Sequence, residues 1–185
     1  MSKSFYEKWN KKEFTRAGEL QNYLDEIKPL FIGKSLSKIM MMGVKFNDNL
    51  DNTLTDLWVD EPLVFFIGDN HLEIDQNDMG SHIFISINQL TLTENSYQNK
   101  DCIDYKAPPH IWQDISGEYL KNCINQIVQD IYIKRTTKVS DFDECNCSGN
   151  DGDDMFCEFC IKFQNGYEIV FSTIMDYTLV TERKI

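Results

Sequence analysis

A chain of 185 residues with 42% apolar and 26% charged side chains is long enough to bury a substantial core and has the balance of a globular protein. Thirty acids against eighteen bases leave a formal charge of −12, which repels nucleic acid and anionic membranes and sets both aside as direct partners. No apolar run approaches the ~20 residues of a membrane span and the N-terminus has no apolar signal segment. The expected compartment is therefore the cytoplasm, where six cysteines are thiols or metal ligands rather than disulfides.

In chain order, Phe14, Ala17, Leu20, Leu24 and Ile27 recur at steps of three and four, predicting a helix over 10–28 that Pro29 ends. The Ile-, Met- and Val-rich segment 35–46 predicts a strand, and Leu57-Trp58-Val59 part of another. A hairpin over 63–75 follows, then a strand over 82–87 with Ile83, Ile85 and Ile87 on one face. The polar stretch 93–104 lacks periodicity and is the expected connection between two halves, 1–92 and 105–185, unless the chain forms one compact domain. Pro108-Pro109 opens a second predicted helix, with Trp112, Ile115, Tyr119, Leu120, Cys123, Ile124 and Ile127 on its stripe. A strand over 128–134, a loop over 140–154, a hairpin over 159–171 and a last strand over 177–181 complete the reading.

The hairpins organise the prediction. Alternation in both sets greasy residues on one sheet face: Ile161 and Phe163 with Ile169 and Phe171 about Gly166, and Val64 and Phe66 with Leu72 and Ile74 about Asp69. Both would then have odd loops of one length, and the halves share an order of helix, strand, hairpin and strand. The expected fold class is α+β, two similar halves, each a helix followed by an antiparallel β-meander. The same parity puts His71, Glu73 and Asp75 together on the opposite face, read here as an outward polar face rather than an acid–base cluster.

Phe31-Ile-Gly-Lys34 before a strand, the turn within 64–74, and Phe163-Gln-Asn-Gly-Tyr-Glu-Ile169 together resemble a group of small acidic bacterial proteins of unassigned function. Such groups resemble the immunity proteins that accompany secreted toxins. The resemblance implies a non-enzymatic inhibitor with a basic toxin domain as partner, and it carries no catalytic residues.

Chemistry concentrates in the later half. Cys145-x-Cys147 and Cys157-x-x-Cys160 could set four thiolates around a zinc ion, as a structural or sensing module; a small buried hydrophobe at Cys157 or Cys160 explains the same residues. No other cofactor is expected. Asp141, Asp143, Glu144, Asp151, Asp153 and Asp154 crowd one segment that lacks the later glutamate of an EF-hand. They read as an arm for a basic partner or as a solvated loop. None of the phosphate-loop, dinucleotide, metalloprotease or serine-hydrolase motifs occurs, and no enzyme activity is expected.

Overall fold

The computed structural model describes residues 9–44, 57–59, 62–77, 82–90, 92, 110–117, 119–135, 157–174 and 177–185. They form an α+β structure of one α-helix and two antiparallel sheets. The strands are β1 (Lys12–Phe14), β2 (Leu36–Val44), β3 (Leu57–Val59), β4 (Leu63–Ile67), β5 (Asn70–Asn77), β6 (His82–Ile87), β7 (His110–Asp114), β8 (Val128–Arg135), β9 (Cys157–Phe163), β10 (Tyr167–Ile174) and β11 (Tyr177–Lys184). Helix α1 (Ala17–Ile27) lies between β1 and β2. The first sheet runs β1-β6-β5-β4-β2-β7 and the second β3-β11-β10-β9-β8.

Each sheet contains a four-stranded meander, β2-β4-β5-β6 in one and β8-β9-β10-β11 in the other. The flanking strands cross over in sequence: β3 joins the second sheet from the early part of the chain, and β7 joins the first from beyond the 93–104 connection. One hydrophobic cluster takes residues from both sheets, with the Phe65 ring edge-on to that of Phe171 at 5.5 Å. Fully buried Phe65, Phe159 and Phe163 fill it, each burial removing enough apolar area to contribute about 1.5–3 kcal/mol.

The sheets are aligned end to end. At one end the Gly33 N–H donates to the Val128 carbonyl, the Val128 N–H donates to that of Lys34, and Ser35 bridges to Ile127. At the other, the Thr178 hydroxyl donates to the Gln76 side chain. The turns Gly68-Asp69 and Gln164–Gly166 both lie at the first of these ends.

Helix α1 begins at Ala17, not at residue 10. Arg16 is extended (φ −132°, ψ 131°) and makes no side-chain cap, because the preceding residues pair with Ile83–Ile85 of β6. Phe14 satisfies the helical spacing and is buried, yet it reaches the core from a strand. Ala17, Leu20, Leu24 and Ile27 form the buried stripe as expected. The helix packs on the edge strand β8, where Gln21 accepts the Ile133 N–H and Asp130 accepts that of Ile131. Two backbone donors of that edge, those of Ile131 and Ile133, are thus satisfied, which blunts it against pairing with another chain.

The predicted second helix is replaced by β7 and a run of turns. Five residues of β7 pair with β2, and Leu120 and Asn125 adopt positive φ (56° and 62°), which a right-handed helix forbids. Ile115, Leu120 and Cys123 are buried all the same; a core-facing irregular segment needs those residues as much as a helix does.

Both hairpins form, with registers shifted from expectation. The first has a two-residue loop: Leu63 faces Ile74, Phe65 faces Leu72 and Ile67 faces Asn70. Gly68 has φ +59°, the positive value that a II′ turn requires at its first central residue. Leu63, Phe65 and Ile67 therefore enter the central core, while Val64 and Phe66 face the other way. The second hairpin keeps the expected parity, with Ile161, Phe163, Ile169 and Phe171 inward, but Ile161 opposes Ile169 and the three-residue loop centres on Asn165. Its last residue, Gly166, has φ +82°. The expected common loop length does not hold.

Candidate functional site

Leu72 and Ile74 point into the core and His71, Glu73 and Asp75 point away, as parity requires, but that second face is not an open polar surface. Glu73 is fully buried and Asp75 is 6% exposed. A second apolar layer covers them: Trp9, Val64 and Leu90, with Met40, Phe66, Phe84, Leu92 and Trp112 packed around. One Glu73 oxygen accepts the Trp9 indole N–H at 3.3 Å and the Ser86 hydroxyl. The other accepts the backbone N–H groups of Gln89 (2.9 Å) and Leu90 (2.7 Å). A single carboxyl group thus fastens residues 9 and 89–90 over the outer face of the first sheet. Asp75 accepts from Lys11 Nζ at 3.3 Å; burial pushes its carboxyl above the ordinary range, against the opposing pull of Lys11.

The outer face of the second sheet carries a matching feature. Glu168 on β10 is fully buried and accepts the Tyr132 hydroxyl at 2.6 Å, Lys134 Nζ at 2.8 Å and Arg183 Nε. Arg183 also forks onto Glu158 through Nη1 (3.3 Å) and Nη2 (2.8 Å). Burial alone would raise the Glu168 pKa, but the bonds from Lys134, Tyr132 and Arg183 hold it at about 2. Burial and the bond to Glu168 push the Tyr132 phenol upward. Cys160 sits beside this network, its thiol pushed up to about 12 by burial and by the Glu168 charge. Such a thiol is a packing group rather than a nucleophile. Among the described residues no buried side-chain polar atom lacks a partner, so the carboxylates are fully engaged by the fold itself.

Of the residues singled out in sequence, Asp141, Asp143, Glu144, Asp151, Asp153, Asp154, Cys145 and Cys147 lie outside the described residues. Cys157 opens β9, and Cys160, three residues on, is fully buried within the strand. Among the described residues no three His, Cys, Asp or Glu side chains come together to hold a metal ion. Nor is any described helix long and apolar enough to cross a membrane.

Charge is distributed unevenly along the sequence. Residues 45–56, 60–61, 78–81, 93–109, 136–156 and 175–176 hold sixteen of the thirty acids and four of the eighteen bases. The difference is twelve, the entire net charge; the remaining fourteen acids and fourteen bases balance. Of the strand ends that lead to these stretches, four pairs lie at one end of the sandwich, whereas β6 ends at Ile87 opposite Leu72, toward the other. Val44 pairs with His110, Asn77 with His82, Arg135 with Cys157 and Ile174 with Tyr177. The opposite end carries the two short hairpin turns.

Fold and side-chain networks together define a mixed α+β protein built on two antiparallel sheets. Comparison with protein-family models, with curated proteins and with solved structures gave no match.

Proposed function

We propose that this chain is a non-enzymatic acidic binding protein, an immunity-type inhibitor that neutralises a basic toxin domain. The observation that supports it is the charge partition along the sequence: sixteen acids and four bases, the whole net −12, fall in six stretches, the densest of them within 136–156, and the rest of the chain is balanced. Charge of one sign concentrated in a few stretches steers an oppositely charged surface toward the chain before short-range contacts form, and it acts chiefly on the association rate. Asp141, Asp143, Glu144, Asp151, Asp153 and Asp154 supply the densest part of that field. Inhibition follows by steric occlusion of the toxin surface. The two four-stranded meanders, with Leu72 and Ile169 at corresponding core positions, further suggest that the binding body arose by duplication of one unit.

The test is stopped-flow association with a basic partner purified from the source cell, at about 0.05 and 0.5 M salt. The rate should fall by about tenfold or more at the higher salt, and should fall further when Asp141, Asp143 and Glu144 are neutralised. A partner without net positive charge, or an association rate indifferent to salt, would sink the reading.

A further inference from the structure

Lys11 reaches the outer face of the first sheet from the residues just ahead of β1. Its Nζ lies 3.6 Å from the centre of the Phe84 ring, 4.5 Å from that of Trp9, and 3.3 Å from Asp75 Oδ2. Two aromatic faces and a carboxyl group that is itself 6% exposed make up the chemistry by which proteins recognise an organic ammonium group. The cradle is held from behind. Trp9 is fixed by Glu73 and Ser86, and Phe84 stands directly across from Asp75 in the β5–β6 pairing. On the solvent side the Lys11 side chain remains 25% exposed. The contacts of Lys12 with Tyr23 (4.2 Å), Lys38 with Phe66 (5.6 Å) and Lys134 with Tyr132 (5.5 Å) each use one ring. Lys11 uses two rings and a buried acid.

We infer that Trp9, Phe84 and Asp75 form a binding site for an organic ammonium group, filled in cis by Lys11 and able to take a lysine side chain of a basic protein partner in its place. Asp75 lies two residues from the end of β5, where β5 pairs with the start of β6. A basic partner drawn by the chain's net negative charge brings lysines that can reach the cradle. Lys11 is then a built-in competitor: only a partner that also gains contacts elsewhere displaces a tethered ligand whose effective concentration is of order millimolar. As a recognition element for a basic partner this rests on the preceding proposal. As an ammonium site it does not.

The experiment titrates Lys11→Ala, the native chain and Lys11→Ala/Phe84→Leu with N-acetyl-lysine methylamide, following the Trp9 indole N–H by NMR. Lys11→Ala should bind saturably. The double variant should bind roughly fivefold more weakly or worse, and the native chain roughly tenfold more weakly because Lys11 competes. Far-UV circular dichroism checks folding, and Lys11→Met, which keeps the aliphatic stem, carries the same test if the alanine variant does not fold. A response in Lys11→Ala that is unsaturable, unchanged by loss of the Phe84 ring, or no stronger than that of the native chain overturns the assignment and leaves the steering proposal standing. Saturable binding together with salt-indifferent partner association has the converse meaning.

Discussion

Glu168→Gln removes one buried negative charge while leaving an oxygen to accept the Tyr132 hydroxyl. The native carboxyl is fully buried and is held near 2 from an ordinary value of 4.5. That shift corresponds to about 3 kcal/mol of stability at neutral pH, the lower edge of the ~3–5 kcal/mol range for breaking a buried ion pair. The lower edge is the appropriate one, since Lys134 and Arg183 are 37% and 40% exposed and can recover water, and Arg183 keeps its fork on Glu158. A loss of about 2–3 kcal/mol is a large part of the ~5–15 kcal/mol that holds a domain folded. Because the folded pKa is depressed, the contribution is fully present above about 4.5 and disappears as pH falls through about 2. Urea unfolding of native and variant chains should show the full difference at pH 7 and less than about half of it at pH 3. A difference below about 0.5 kcal/mol at pH 7, or one that does not shrink with acid, would refute the argument that charge pairing, rather than shape, is what Glu168 supplies.

Asp75→Asn should behave in the opposite sense. The folded pKa of Asp75 is raised from 3.8 by burial, so its contribution is present below that value and lost as pH rises through the folded one; the variant should lie within about 1 kcal/mol of native at pH 7 and show a flatter pH dependence in urea unfolding. Gly68→Ala should cost more than Gly166→Ala, as read by urea midpoints. Both need positive φ at about 1 kcal/mol each, but a Cβ at Gly68 would stand 2.5 Å from Lys34 Cδ, whereas none of the neighbours of Gly166 lies within 4 Å. If Cys145, Cys147, Cys157 and Cys160 hold zinc as a second function, elemental analysis of untagged protein should approach one zinc per chain; under about 0.2 removes that reading.

The strands were legible because alternation reports a two-faced sheet directly: β2, β6, β8 and both hairpins fall where the pattern sets them. The failures have one cause. Hydrophobic spacing records which residues are buried and not by what backbone. Ile115, Leu120 and Cys123 satisfy a helical stripe and a set of core-facing turns equally well, and only the positive φ of Leu120 and Asn125 separates the two. Val64 and Phe66 misled the first register for the same reason. Val64, Phe65 and Ile67 are all fully buried, so a sheet covered on both faces offers no polar phase from which to count. The buried glutamates followed from that error. Once one face of β5 is assumed to meet water, Glu73 reads as surface, although the apolar run 63–67 already signalled a sheet covered on both sides.

Those two glutamates also bear on how the acidity can be used. A buried acid is tolerable only with its partners in place, and Glu73 and Glu168 each take several donors from the described body of the fold. Carboxylates engaged in this way contribute little to an approaching molecule, because their fields end on neighbouring donors. The sixteen acids in the six acidic stretches of sequence have only four bases among them, so under the proposed function their charge is what a basic partner meets. Under the proposed function the chain separates two uses of one residue type: acids on the sheet strands fix the sheets, and acids in the segments between strands attract the partner. Neutralising acids of the second group should therefore weaken association without altering stability, whereas neutralising Glu73 or Glu168 should lower stability with little effect on the association rate of the folded chain.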